Sequence, residues 1–200
     1  MPRTPVTKLS RHLGIPLTEK AGRIMEGKPF PPGQHGRTRK KPSEYADRLL
    51  EKQRLRFQYN ITEAQMRRAF AAAAKRPGKT GAELIEDLES RLDAVVLRAG
   101  FAKTIYQARQ FVVHRHLLVN GQRVDKPSFR VRVGDVVEVR AKSRTMPAFV
   151  TAKENLNGIT APAYLEVSHD HLQARFRRRP ERAELPEICN EQLVVEFYAR

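Results

Sequence analysis

One basic segment in the middle of the chain carries side chains suited to binding phosphates. Lys103, Arg109, His114, Arg115 and His116 follow one another at spacings that let them project from one side of a helix–loop–helix pair. Lysine offers a phosphate a point charge, arginine offers a planar fork of donors, and histidine can stack on a base or hydrogen-bond to it. These residue types in this pattern predict contact with a nucleic acid.

The charge of the whole chain also predicts an anionic partner. Its 200 residues include 38 Lys and Arg against 22 Asp and Glu, which gives a formal charge of +16. The excess is uneven, since residues 1–42 carry +8 and residues 91–153 carry +9, whereas residues 43–90 and 154–200 carry +1 and −2. We therefore expect two basic contact segments attached to nearly neutral segments that pack against protein.

Composition excludes several classes of protein. With 40% hydrophobic residues the chain can bury a core, so it is not a disordered polycation. No stretch approaches eighteen apolar residues, and the first residues do not resemble a secretory signal, so we expect no membrane partner and a cytoplasmic location. The single cysteine, Cys189, excludes an internal disulfide and a multi-cysteine metal cluster.

Residues 1–42 are expected to form an extended basic arm. Prolines and glycines recur through this segment, and no apolar period lasts beyond one turn. Residues 28–37 are interpreted as a rigid, turn-rich loop around Phe30. A segment with so little apolar surface is expected to be disordered or to take its order from a partner.

Helices are predicted from Ser43 onward. Ser43 is a suitable N-cap, and helical spacing continues as far as Pro77. Thr80 is interpreted as the N-cap of one long helix whose apolar residues recur at spacings of three and four and which ends before Gly100.

A small helical and β-stranded module is predicted next. Thr104 and Gln107 match a capping box for a second helix that runs to about Val113, with Ile105, Ala108 and Val112 on its inner face. Two turns then follow, and they predict a small antiparallel sheet. The turns are at Asn120-Gly121 and Gly134-Asp135.

Metal binding is not expected, although two His-x-His pairs are present. The pairs at 114/116 and 169/171 have no cysteine or third ligand at a matching spacing. Cys189 is interpreted as a small apolar residue near a helix start. For the cluster Arg175–Arg179, contact with RNA and pairing with the glutamates that follow remain equal alternatives.

The module resembles the RNA-binding module first described in small-subunit ribosomal protein S-four. The motifs are Arg91-Leu-Asp93, Gly100-Phe101, Ala108-Arg-Gln110, His114, Val119-Asn-Gly121, Pro127-Ser128 and Gly134-Asp-Val136. The flanks resemble the bacterial S-four (uS4) family along essentially the whole chain, at residues 32–36, 43–45, 51–53, 78–81, 164–167, 180–182 and 190–198. Many relatives carry four zinc-binding cysteines before the Pro32–Gly36 loop, and this chain is similar to the form that lacks them.

The resemblance implies a ribosomal function. Members of the family bind 16S ribosomal RNA early, at a multi-helix junction in the 5′ domain, and nucleate assembly of the 30S body. They contact ribosomal protein S-five, influence decoding accuracy and line the messenger RNA entrance. The resemblance also makes the C-terminal Leu193–Tyr198 a helix, whereas its residue pattern alone would predict a strand.

Together, the basic residues and the resemblance give a set of candidate sites, with no cofactor, metal or small-molecule substrate. The residues expected to contact ribosomal RNA are Lys8, Arg11, Gln34, His35, Arg37, Arg39, Lys40, Lys41, Lys52, Arg54, Lys103, Thr104, Arg109, Gln110, His114, Arg115, His116 and Asn120. Those expected at the messenger RNA entrance are Arg39 and Lys41.

The expected fold class is α+β. It comprises a basic arm (1–42), a helical domain (43–90), an inserted S-four-type module (91–153), and a C-terminal segment (154–200) that returns to the helical domain.

Two other classes share the module: RNA-modifying enzymes such as pseudouridine synthases, and a stress-related RNA-binding protein. An enzyme needs a further catalytic domain, and Gly78-Lys79-Thr80 is not a nucleotide loop, because the glycine required five positions earlier is Ala73. We therefore expect no enzyme activity. A tRNA modification assay distinguishes the enzyme, and sedimentation with intact 30S particles distinguishes the stress-related protein.

Overall fold

The computed structural model describes residues 4–38, 41–154, 160–185 and 189–199. These residues pack into two units, the first formed by residues up to 70 together with those from 189 onward, and the second by residues 71–185. In the described ranges no helix has the length and apolar character needed to cross a membrane.

Helices and a small sheet make up the fold, so the predicted α+β class is confirmed. The helices are α1 (Val6–Leu13), α2 (Glu19–Gly27), α3 (Glu44–Gln58), α4 (Glu63–Ala73), α5 (Thr80–Glu89), α6 (Leu92–Arg98), α7 (Ile105–Val113), α8 (Pro147–Lys153) and α9 (Glu191–Tyr198). The strands are β1 (Leu117–Val119), β2 (Gln122–Arg123), β3 (Val136–Val139), β4 (Leu165–Ser168) and β5 (Gln173–Phe176).

The N-terminal segment contains two helices, so the prediction of an extended arm was wrong. Leu9 and Leu13 lie four positions apart on one face of α1, and both are buried with Leu17. Leu50 and Phe57 of α3 pack against this cluster. The apolar partners of α1 therefore come from a later helix, which a search for periodicity within residues 1–42 does not include.

The C-terminal helix α9 completes the first unit, as the family resemblance implies. The Asn190 side chain accepts hydrogen bonds from two backbone N–H groups in the first turn of α9. α9 packs along α3, where the rings of Tyr45 and Phe197 lie 5.9 Å apart and Arg48 Nε donates to Glu196 Oε2 at 2.9 Å.

The second unit is built around an antiparallel sheet in the order β2-β1-β3-β5-β4. The predicted hairpin at Asn120-Gly121 is confirmed, with both residues at positive φ. At Gly134-Asp135 only the second half of the predicted alternation forms a strand, β3. The first half does not, because the backbone N–H of Val131 donates to the Ser90 carbonyl at 2.8 Å.

The single long helix predicted for α5 and α6 is two helices that meet at a corner. Arg91 has extended backbone angles, φ −70° and ψ 143°. The backbone N–H of Leu92 donates to the Phe129 carbonyl at 2.8 Å, and the backbones of Arg91 and Arg130 form an isolated antiparallel β-bridge. Hydrogen bonds to this neighbouring segment replace those that a continuous helix would make, so the chain turns here.

Two buried charge clusters lie at this corner. Arg91 Nε and Nη2 donate to the two carboxylate oxygens of Asp93 at 2.9 and 2.6 Å, and the two side chains are 2% and 0% exposed. The buried Glu89 carboxylate accepts bonds from Arg98 and, at 3.1 Å, from the Tyr164 hydroxyl. Burial, and then the charge of Glu89, raise the pKa of Tyr164, so this hydroxyl remains a donor.

These packing units differ from the domain boundaries drawn from the sequence, which remain predictions. β4 and β5 extend the sheet that β1 begins, since Ala174 pairs with Val137 of β3. Residues 160–185 consequently pack within the second unit, and among the described residues the segment that returns to the first unit begins at Cys189. β4 and β5 pair with each other as a local hairpin, but the second partner of β5, strand β3, lies far away in sequence, so local pattern gives no sign that this hairpin joins the sheet.

Asp93→Ala is expected to lower the free energy of unfolding by about 3–5 kcal/mol, because it leaves the Arg91 guanidinium buried without its partner. Urea denaturation measures the change. The matched control is Glu166→Ala, which removes the exposed partner of Arg177 and is expected to cost at most about 1 kcal/mol. Equal losses in the two variants would contradict the importance of burial.

Candidate nucleic-acid interface

Helix α7 is held in place by its N-cap and its buried face. The Thr104 hydroxyl accepts a hydrogen bond from the Gln107 backbone N–H at 3.2 Å, as predicted. The Gln107 side chain accepts a bond from the Lys103 backbone N–H at 2.8 Å, one residue earlier than a capping box requires. The buried side chains are Ile105, Ala108, Phe111 and Val112.

The other side chains of this segment form a surface that we call the α7 surface, made of Lys103, Arg109, Gln110, His114 and Arg115. All except the half-buried Arg109 are exposed. Gln110 and His114 are four positions apart and are therefore neighbours on the same face of the helix. Five of the predicted RNA-contacting residues thus lie on α7 or directly beside its two ends.

Arg115 lies just beyond the end of α7 and has a left-handed backbone, with φ at 61°. Its Nη2 donates to Asp125 Oδ2 at 2.8 Å, and its side chain is 62% exposed. An exposed ion pair contributes at most about 1 kcal/mol. A phosphate can therefore compete with Asp125 for the guanidinium.

Arg109 connects the α7 surface with the buried ion pair. Its Nη1 lies 3.9 Å from Asp93 Oδ2, the carboxylate that also binds Arg91. This Nη1 is buried and has no hydrogen-bond partner among the described residues. The Asp93 carboxylate thus attracts one end of the Arg109 guanidinium and holds this side chain in place.

His116 is a packed side chain and does not belong to the α7 surface. Its Nδ1 lies 3.0 Å from the hydroxyl of the buried Ser143, and its ring meets those of Phe111 and Phe149 at 6.0 and 6.2 Å. Burial, followed by the charges of His114 and Arg140, lowers the pKa of His116. His116 is therefore neutral near pH 7 and offers no cation to a phosphate.

Asn120 holds its own turn together. Its side-chain amide donates to Asp135 Oδ1 at 2.8 Å, and its Oδ1 accepts a hydrogen bond from the Val136 backbone N–H at 2.9 Å. The amide is consequently engaged in joining the β1–β2 turn to β3. The sequence predicts this asparagine both as a turn residue and as an RNA contact, and the structure shows its role in the turn.

Another exposed basic region lies in the first unit, in the loop after α2. The guanidinium of Arg11 donates to the carbonyls of Lys28 and Phe30 at 3.2 and 3.1 Å, and it also lies over the Phe30 ring. The Arg37 guanidinium lies 4.8 Å from the centre of the same ring. A Cβ at Gly36 would lie 2.0 Å from the Pro31 carbonyl oxygen, so the loop requires glycine there. Arg11 thus fixes the loop.

Three predicted contacts are exposed in this loop: Gln34, His35 and Arg37. Lys8 on α1 and Lys41 before α3 are also exposed. Arg39 and Lys40 lie outside the described residues.

Lys52 and Arg54 are engaged inside the first unit. Lys52 is 4% exposed, and its Nζ donates to Glu63 Oε2 at 2.9 Å. Burial opposes ionisation of Glu63, but the hydrogen bonds from Lys52 and Tyr198 outweigh it, so the pKa of Glu63 is lowered. Arg54 Nε donates to the Leu13 carbonyl at 2.7 Å. Both side chains thus have a structural role within the first unit, and their contact with RNA stays a prediction.

The cluster at residues 175–179 is largely paired within the chain. Arg177 binds Glu166 at 3.1 Å, Arg178 binds Glu184, and Arg179 lies 3.3 Å from Glu86. Only Arg178 pairs with a glutamate that follows the cluster, whereas Arg177 and Arg179 pair with glutamates earlier in the chain, and contact with RNA stays an alternative. In the described part of the chain, no group of three or more His, Cys, Asp or Glu residues is arranged to hold a metal ion.

Comparison with known proteins extends the similarity over nearly the whole chain. Residues 2–89 match the family described as ribosomal protein S4/S9 N-terminal domain, and residues 90–137 match the S4 domain. The small ribosomal subunit protein uS4 of Paenarthrobacter aurescens is 60% identical over 195 residues, covering 96% of this chain and 95% of that protein. Its counterpart in Streptomyces avermitilis is 58% identical over 199 residues, covering 98% and 97%.

The environment of His116 predicts a pH dependence of stability. Because its pKa is lowered in the folded protein, the unfolded chain binds more protons as the pH falls below the ordinary histidine value of about 6.5. The stability that the neutral His116 ring contributes is fully present above that value, and it is lost as the pH falls through the pKa of His116 in the folded protein. We expect His116→Gln to reduce the fall in unfolding free energy between about pH 7.5 and 5.5. An identical pH profile in the variant and the original protein would contradict this role.

Proposed function

The chain belongs to the uS4 family of small-subunit ribosomal proteins, and from this premise we propose that it binds 16S ribosomal RNA directly. It is a structural constituent of the small subunit of the cytoplasmic ribosome and not an enzyme. The observation that carries the proposal is the α7 surface, where the exposed cations Lys103 and Arg115 flank a helix whose other face is buried.

The proposed mechanism is neutralisation of phosphates on a rigid protein surface. Lys103 offers a point charge, and Arg115 offers a guanidinium fork that Asp125 holds only weakly. His114 and Gln110, exposed on the same face, supply hydrogen bonds or stacking to RNA bases. Because the N-cap and the buried face hold α7 in place, its backbone does not have to become ordered when RNA binds.

The loop of the first unit is the second proposed contact. Gln34, His35 and Arg37 are exposed on a turn whose shape is set by Arg11 and Gly36. Lys8, Lys41, Arg39 and Lys40 are proposed as further contacts, the last two on sequence alone.

The finer functional assignments come from the family resemblance. We propose binding at a multi-helix junction of the 5′ domain, nucleation of 30S body assembly, and contact with ribosomal protein S-five that influences decoding accuracy. Tyr45, 58% exposed on the nearly neutral α3–α9 pair, supports a protein-facing surface there. We also propose that Arg39 and Lys41 lie at the messenger RNA entrance.

Binding of the full chain to a junction RNA is expected to weaken steeply with salt, because each neutralised phosphate releases counterions. Filter binding or fluorescence anisotropy across a series of salt concentrations measures the slope of log affinity against log salt. An affinity that stays flat from low to moderate salt would overturn the electrostatic mechanism.

Lys103→Ala and Arg115→Ala are each expected to weaken junction binding and to reduce the magnitude of the salt slope by about one, because each removes one phosphate contact. Lys153→Ala, which removes an exposed charge at the end of α8, is the matched control and is expected to keep the original slope. If all three variants behaved alike, the α7 surface would not be the binding site.

A further inference from the structure

The second unit contains a cavity of about 450 Å³ beside the corner between α5 and α6. Its guanidinium groups belong to Arg76, Arg130, Arg132 and Arg179. Two carboxylates, from Glu86 and Asp87, also line it, so positive charge predominates in the lining. The volume lies within the range of about 300–1,000 Å³ that is typical of small-molecule sites.

The arginines of this cavity are held to different degrees. Arg130 is a fixed part of the wall, since its Nη1 donates to the Asp87 carbonyl at 2.8 Å and its Nη2 binds the Asp87 carboxylate. Arg179 is 67% exposed and lies 3.3 Å from Glu86. The exposed side chain of Arg132 makes no ion pair or side-chain hydrogen bond within the described ranges. Arg132 and Arg179 are therefore available to an incoming anion.

An apolar wall lies beside these cations. Val131, Val133 and Phe176 line the cavity. Val131 and Phe176 are buried, at 3% and 1% exposed, whereas Val133 is 55% exposed. A ligand that covers Val133 while binding Arg132 must have a flat or apolar body joined to an anionic group. Nucleotides have this combination, and guanidinium planes also stack on bases.

We propose that this cavity binds one nucleotide of RNA, with its base against the exposed Val133 and its phosphate between Arg132 and Arg179. The proposal deepens the RNA-binding function given above and rests on it. An acidic peptide is the alternative ligand, and competition by hexaglutamate tests for it.

Binding of AMP to the full chain, measured by NMR titration, tests the proposal. Arg132→Ala and Arg179→Ala are each expected to weaken AMP binding about tenfold, since each removes a charge-assisted hydrogen bond. Arg175→Ala is the matched control, because side chains alternate across a strand and Arg175 lies on the opposite face of β5 from Phe176. The expected affinity of this control is that of the original protein.

Four results would overturn the proposal. If inorganic phosphate bound as tightly as AMP, the base would contribute nothing to binding. Hexaglutamate competing as strongly as AMP would point to an acidic protein instead. Equal effects of Arg132→Ala and Arg175→Ala, or no AMP binding, would exclude the cavity. Salt-dependent junction binding through Lys103 and Arg115 would still stand in each case, so failure here is distinguishable from failure of the proposed RNA-binding function.

Discussion

The buried ion pair between Arg91 and Asp93 is the constraint on which the second unit depends. Two charges without water are tolerated only when each has a partner in good geometry, so this pair must form for the α5–α6 corner to exist. The corner in turn aligns Phe129 and Val131 for backbone bonds, and these place the segment that lines the arginine cavity. Asp93 also attracts Arg109 of the α7 surface. One internal pair is therefore linked to both contact regions that are proposed for the second unit.

A cation in this chain acts according to where the fold places it. Lys52 is enclosed with Glu63 and stabilises the first unit, whereas Lys103 is exposed and stands at the start of α7. The Arg11 guanidinium donates hydrogen bonds to carbonyls of the loop after α2, whereas Arg37 on that loop is exposed. The count of 38 Lys and Arg thus overstates the number of cations offered to RNA, because many guanidiniums are already paired within the chain.

Much of the second unit follows from local sequence. Thr104 as a cap and Asn120-Gly121 as a hairpin turn are signals confined to a few residues, and the structure confirms both. Features that depend on distant partners were not predictable in this way. The α5–α6 corner requires backbone bonds from Phe129, and the cavity unites Arg76 with residues far along the chain. Burial separates Lys52 from the exposed lysines, and burial is a property of the packed fold.

The packing of α9 on α3 also fixes an order of events during synthesis. The backbone N–H of Asn190 donates to Glu51 Oε2 at 2.8 Å, a contact between residues 139 positions apart. A chain emerging from its own ribosome exposes α3 long before α9 exists, so the first unit remains open until α9 has been synthesised. Until then the face of α3 that Phe197 covers in the folded unit is available to other molecules. Closure of the first unit therefore waits for about 140 residues of further synthesis after α3.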